Sequence, residues 1–115
     1  MTARGNVVRL LADDAGASGI HQRFVIRLTG ATQTVLIDNN VSIGMRVPVR
    51  IDDEVTAHGE YVWNDEGGLI HFTHHDPQHT HEDGWIDTGG MRYGLTDLDG
   101  TRVGCAGFEP ATSAM

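Results

Sequence analysis

Lysine is missing from this sequence: all eight basic residues are arginine, a pattern we attribute to coding bias in a GC-rich genome. Cys105 is the only cysteine, so no disulfide can form within the chain. No segment reaches the roughly 18 consecutive apolar residues of a membrane-spanning helix. The N-terminal "MTARGNVVRLL" lacks the apolar stretch of a secretory signal, so the chain as written is expected in the cytoplasm, without a membrane span. Neither HExxH nor Cys-x-x-Cys spacing occurs, and no stretch sustains a period of about 3.6 residues, so helices are not expected. With 115 residues, 39% of them hydrophobic, there is room for one domain built on one core.

Positive charge is also scarce where it would matter for nucleic acid. The first fifty residues carry six arginines against three aspartates, and the remainder two arginines against thirteen carboxylates, for a net charge of −8. Such a chain repels a phosphate backbone, which excludes useful non-specific binding to duplex DNA. A local site for a small anionic ligand in the N-terminal half is still compatible with these numbers.

What is present reads as strands. "GNVVRLL" (5–11) is apolar and β-branched, and "ADDAGASG" (12–19) follows as a loop. "HQRFVIRL" (21–28) alternates, with Gln22, Phe24, Ile26 and Leu28 on one face and His21, Arg23, Val25 and Arg27 on the other. "QTVLIDNN" (33–40) returns as its partner. Gly44 and Pro48 break 41–53, "EVTAHGEYVW" (54–63) is strand-like, and "NDEGG" (64–68) turns into "LIHFTHH" (69–75). Five short strands with one longer connection predict an all-β fold, a small five-stranded antiparallel OB-like barrel whose closure removes exposed edges. A two-sheet sandwich is the alternative. Expected core residues are Phe24, Ile26, Val35 or Leu36, Ile70 and Phe72. The domain is expected to span 1–93. Residues 94–115 have no strand pattern, and "GFEPATS" within them reads either as translation across the T-arm of a tRNA gene or as an ordinary flexible terminus.

Residues 71–85, "HFTHHDPQHTHEDGW", hold five histidines and three acidic residues. Period-two alternation puts Ile70 and Phe72 toward the core and His71, Thr73 and His75 outward or into a cleft, while Asp76-Pro77 turns the chain back past the strand. His71, His74, His75, Asp76 and His81 are then candidate ligands for Zn²⁺ or another divalent metal, since imidazoles and a carboxylate suit first-row cations. His71, His74 and Asp76 are equally readable as hydrogen bonds that hold the loop in place with Trp85 packed beneath, and the whole stretch as a solvated histidine-rich loop. His21, Gln22, Arg23, Arg27 and Thr73 are candidate ligand-binding residues, because arginine forks suit phosphate or carboxylate. The two arginines are otherwise partners in surface salt bridges, and Tyr61 and Trp63 are either core residues or a stacking platform.

The motifs "VVRLLADD", "HQRFVIRL", "TVLIDNN", "GEYVWN", "GGLIHFTHHDP" and "GWI", in this order over roughly residues 5–93, resemble a bacterial family, domain of unknown function 3465. The resemblance implies a small all-β domain, frequently exported in other members, and no established activity. Members usually read His-Asn where this chain has Asn39-Asn40, and they have no counterpart of His79. Three functions compete at this point: a binding module for a small anionic ligand, with or without a metal; a metal- or histidine-dependent hydrolase of phosphodiester-like bonds, with His71 and His75 as catalytic candidates, His71 as general base and His75 or His81 as ligands; and a structural or interaction domain with no ligand.

Overall fold

Period-two burial dominates the chain in the computed structural model, which describes residues 1–17, 19–71, 73–74 and 83–94. Eight strands form among them: β1 (Thr2–Gly16), β2 (Gly19–Leu28), β3 (Thr34–Asn40), β4 (Glu54–His58), β5 (Glu60–Val62), β6 (Leu69–His71), β7 (Trp85–Thr88) and β8 (Met91–Tyr93). They make one sheet in the order β5-β6-β3-β2-β1-β4-β7-β8. Among the described residues no helix is long and apolar enough to cross a membrane.

The all-β expectation holds, but the closed five-stranded antiparallel barrel does not, and neither does the two-sheet alternative. The sheet has eight strands, is not closed by pairing, and contains one parallel pair, β3 with β6 (Leu36↔Leu69, Ile37↔Ile70). Two features of the sequence account for the difference. Residues 54–63 do not run as one strand: they break at Gly59, so β4 pairs with β1 and β7 while β5 pairs with β6. Residues 85–93 add the hairpin β7–β8 beyond β4. "ADDAG" also departs from its expected loop, because the β1–β2 ladder runs out to Gly16↔Gly19 and its backbone bonds do not depend on the exposed side chains.

Gly59 shapes the sheet. It alone separates β4 from β5, yet five strand pairings lie between them in the sheet order. Two peptide units reach only about 7 Å, so the strands between must curl until β5 comes back near β4. A Cβ at Gly59 would lie 2.3 Å from the His71 carbonyl oxygen and 2.9 Å from Ile70 Cγ2, and only glycine allows that approach. Backbone bonds from Met1 N to Gly59 O (2.9 Å) and from Gly59 N to Met1 O (3.0 Å) hold the bend.

The curl puts one face of every long strand inside. Val7, Phe24, Ile26, Val35, Ile37 and Ile70 are fully buried on the concave side, joined by Val55, Ala57 and Ile86 and by Val47 from the 41–53 segment. Each large side chain contributes about 1.5–3 kcal/mol by leaving water. Phe24, Ile26, Val35 and Ile70 are core as expected, Leu36 faces the other way, and Phe72 lies outside the described residues. The 41–53 segment forms no strand but is fastened at its C-terminal end and at Arg46. Asp52 N donates to Val7 O (2.7 Å) and Val7 N to Asp53 O (2.9 Å), with Asp52 in the left-handed region (φ 77). Arg46 pairs with Asp13 of β1. That hydrogen bond, against weaker desolvation, raises the Arg46 guanidinium further above its ordinary value, although so exposed a pair contributes little to stability.

Candidate functional site

The outer face of β1, β2 and β3 carries the residues that β2 turns away from the core. Arg23 lies opposite Asp38 of β3 and Leu11 of β1, and Val25 lies opposite Leu36 and Arg9. A register shift between Val7 and Arg9 brings Val8 and Arg9 to this side, since a bulge changes the phase of a strand. The row continues from Leu36 to Leu69 of β6 and Val62 of β5, an apolar stripe across four strands.

The turn between β5 and β6 borders this stripe. Asn64 Oδ1 accepts from the backbone N–H groups of Glu66 (2.8 Å) and Gly68 (2.9 Å), and Tyr61 Oη donates to Gly67 O (2.9 Å). Gly67 has φ 107, and a Cβ there would stand 2.0 Å from Thr34 O, so the turn abuts β3 only because that residue is glycine. Turn and sheet enclose a concavity of about 430 Å³, lined by Val8, Arg9, Leu11, Arg23, Val25, Thr34, Leu36, Asn64, Glu66 and Gly68. Arg23 donates from Nε (3.1 Å) and Nη2 (3.0 Å) to Ala12 O, which fixes its guanidinium. The Arg9 side chain is exposed and makes no hydrogen bond or ion pair to a described residue. Tyr61 packs against the core, while Trp63 at the rim of the turn is 69% exposed.

Farther along the same face stand two imidazole–carboxylate pairs. His21 Nδ1 donates to Asp38 Oδ1 (2.8 Å), and His71 Nε2 lies 3.5 Å from Glu60 Oε1. Continued by one residue, the β3–β6 register sets His71 beside Asp38. His21, Arg23 and His71 are thus brought to one face; Arg27 follows Val25 at its exposed end.

Gln22 and Thr73 are placed elsewhere. Gln22 Oε1 accepts from Val47 N (2.9 Å) and Asn39 Nδ2 (3.2 Å), and its Nε2 donates to Val47 O (2.7 Å). Asn39 Nδ2 also donates to Met45 O (2.8 Å), and its Oδ1 accepts from Thr73 Oγ1 (3.1 Å). This buried network ties the 41–53 segment to the sheet. Thr73 was expected to share the outward face of His71 but is fully buried, because β6 stops at His71 and the alternation ends with it. His74 is buried too, packed beside Gly44, and its carbonyl accepts from Gly84 N (2.9 Å). His75, Asp76 and His81, with His79, lie outside the described residues. Among the described residues no three His, Cys, Asp or Glu side chains converge as a metal site.

A larger concavity, about 750 Å³, opens between Pro48–Glu54 and the β7–β8 turn. Its charged lining is Arg50 with Asp53 and Glu54, and the backbone N–H of Arg50 donates to Asp53 Oδ2 (2.9 Å). Carboxylates outnumber cations there, so it suits an anion less well than the smaller one. Sequence reasoning also missed an outer cluster on β4 and β7–β8. His58 stacks on Trp85 (5.4 Å between centroids, 14° between planes), Arg92 lies 3.8 Å from the Trp85 ring centre, and Arg92 grips Asp87 (2.7 and 2.9 Å). Only the β4–β7 register reveals it, as His58↔Trp85 pair across the ladder. Arg9 was missed for a related reason, since its face depends on the bulge before it.

No curated protein and no solved structure matches the chain. The family match, by contrast, runs across the whole described fold, from the first residue of β1's approach to Gly94 after β8. The chain belongs to the family "Protein of unknown function (DUF3465)", which it matches over residues 1–94.

Proposed function

We propose that this chain is a binding module that takes a small anionic ligand on the outer face of β1–β3, in the concavity bordered by the β5–β6 turn. The observation that carries the reading is the pairing of Arg9 and Arg23 with an apolar floor of Val25 and Leu36. Small-ligand sites combine an apolar wall with a few placed polar groups, at about 300–1,000 Å³. The acidity of the whole chain favours a small ligand over a polyanion.

The strand order that accompanies this is OB-like, in a sheet that pairing leaves open. Taken as one strand bent at Gly59, β4 and β5 reduce the first six strands to five, with the third parallel to the fifth, and β7–β8 is an added hairpin. In OB folds, ligands bind the face of strands 2 and 3 beside the loop between strands 4 and 5. Here that loop is the β5–β6 turn, which borders the concavity.

Melting curves against a panel of small carboxylates and phosphates test the binding reading, because a ligand that prefers the folded state raises Tm by mass action. We expect a rise for at least one anion that Arg9→Gln removes. Melts indifferent to every anion would contradict it.

A second reading, a histidine-dependent phosphodiester hydrolase, draws on the two imidazole–carboxylate pairs, with His71 as general base and Arg23 nearby. His75, the other catalytic candidate, lies outside the described residues. Cleavage of a generic phosphodiester, lost in His71→Ala and His21→Ala, supports it; no turnover with or without Mn²⁺ or Zn²⁺ removes it. A divalent cation held by His71, His74, His75, Asp76 and His81 is the accompanying metal proposal. It is tested by elemental analysis of tag-free protein, where substoichiometric metal counts against it.

A further inference from the structure

We infer that the ligand of the outer-face concavity is a singly charged amphipathic carboxylate, an aliphatic acid of medium chain length. The carboxylate sits on Arg9 and the chain lies along Val25 and Leu36. This rests on the binding reading above and goes further by naming the ligand's chemistry.

Charge sets the first limit. The wall holds two guanidinium groups, Arg9 and Arg23, against one carboxylate, Glu66, so it balances one negative charge better than two. Geometry sets the second. Arg23 already spends its Nε and Nη2 on Ala12 O, so it contributes field and its remaining N–H groups. Arg9 holds no described partner, and its whole planar fork is open to two carboxylate oxygens. Asn64 adds a donor: with Oδ1 committed to two backbone N–H groups, its amide nitrogen points away from them, and the residue lines the cavity.

The floor decides what is attached to the carboxylate. Val8, Leu11, Val25 and Leu36 are aliphatic, and among the described residues no aromatic side chain lines the concavity. A nucleobase gains much of its affinity by stacking on aromatic rings, and the described lining offers none. A sugar needs many paired donors and acceptors, whereas the neutral polar side chains here are Thr34 and Asn64. An alkyl chain needs only apolar surface to leave water against.

Calorimetric titration of the full chain with acetate, hexanoate, octanoate and decanoate tests this, with inorganic phosphate and adenosine monophosphate alongside. Affinity should rise about two- to fourfold for each added methylene until the floor is covered. Arg9→Gln should weaken octanoate binding about tenfold or more, and Arg50→Gln, in the larger concavity, should leave it unchanged. Leu36→Asn, checked by its melt for retained fold, should flatten the dependence on chain length. Octanoate binding that ignores Arg9→Gln, or affinity that does not grow with the chain, overturns the inference. If phosphate or adenosine monophosphate binds through Arg9 while octanoate does not, the inference fails and the binding reading stands. If none of these anions binds, both fail.

Discussion

Asn39 makes three side-chain hydrogen bonds inside the protein, to Gln22, Met45 and Thr73, at 1% exposure. Removing it strands buried groups that water cannot reach, at about 1–3 kcal/mol for each one left unmatched. Asn39→Ala should therefore lower the stability measured by denaturant unfolding by several such increments' worth, with the 41–53 segment losing amide protection first. A midpoint equal to wild type would show that the network does not anchor that segment. Some of the residue-scale picture was legible beforehand: alternation alone assigned Phe24, Ile26 and Ile70 to the core and Arg23 and Val25 to the outside. Thr73 was not, because alternation predicts a face only while the strand lasts, and β6 ends two residues earlier. Arg9 was equally hidden, since the bulge after Val7 resets which residues of β1 face out.

Among the elements, the bend between β4 and β5 determines which strands meet. Gly59 is ringed by the His71 carbonyl at 2.3 Å and by Ile70 and Thr73 methyl groups at 2.9 and 3.1 Å, measured from where its Cβ would be. Overpacking at such a point costs about 1–3 kcal/mol, and here backbone must move. Gly59→Ala should lower Tm clearly, while Gly16→Ala, whose Cβ would meet nothing within 4 Å, should leave Tm nearly unchanged. Equal melts for the two variants would mean that the bend tolerates a side chain and does not fix the curl. The sequence showed "EVTAHGEYVW" as strand-forming but not that its halves serve different partners, because pairing is a long-range property. The same holds for β7–β8, visible beforehand only as "GWI", and for "ADDAG", where ladder bonds override the turn preference of Asp and Gly.

At the scale of the whole molecule, sixteen carboxylates against eight arginines govern how the chain meets other charged species. Counterion release needs several cations aligned along a phosphate backbone, and the outer face offers Arg9, Arg23 and Arg27 interleaved with Asp38, Glu60 and Glu66. A gel shift with random-sequence duplex should show no binding at physiological salt; sub-micromolar, salt-sensitive binding would contradict the charge argument. The last fully buried hydrophobic residue described is Ile86, Tyr93 packs against the core, and the family match ends at residue 94. A chain shortened to residues 1–95 should accordingly unfold in one cooperative transition near the full-length Tm, and expression only as aggregate would place later residues in the domain. The central claim is that the outer-face concavity is the binding site. The most direct test is a ¹⁵N NMR titration of the full chain with octanoate and, separately, inorganic phosphate. Saturable shifts should gather on Arg9, Arg23, Val25, Leu36 and Asn64–Gly68. Shifts gathered instead on Arg50, Asp53, Glu54 and Tyr93 around the larger concavity, or no saturable shift with either anion, would contradict it.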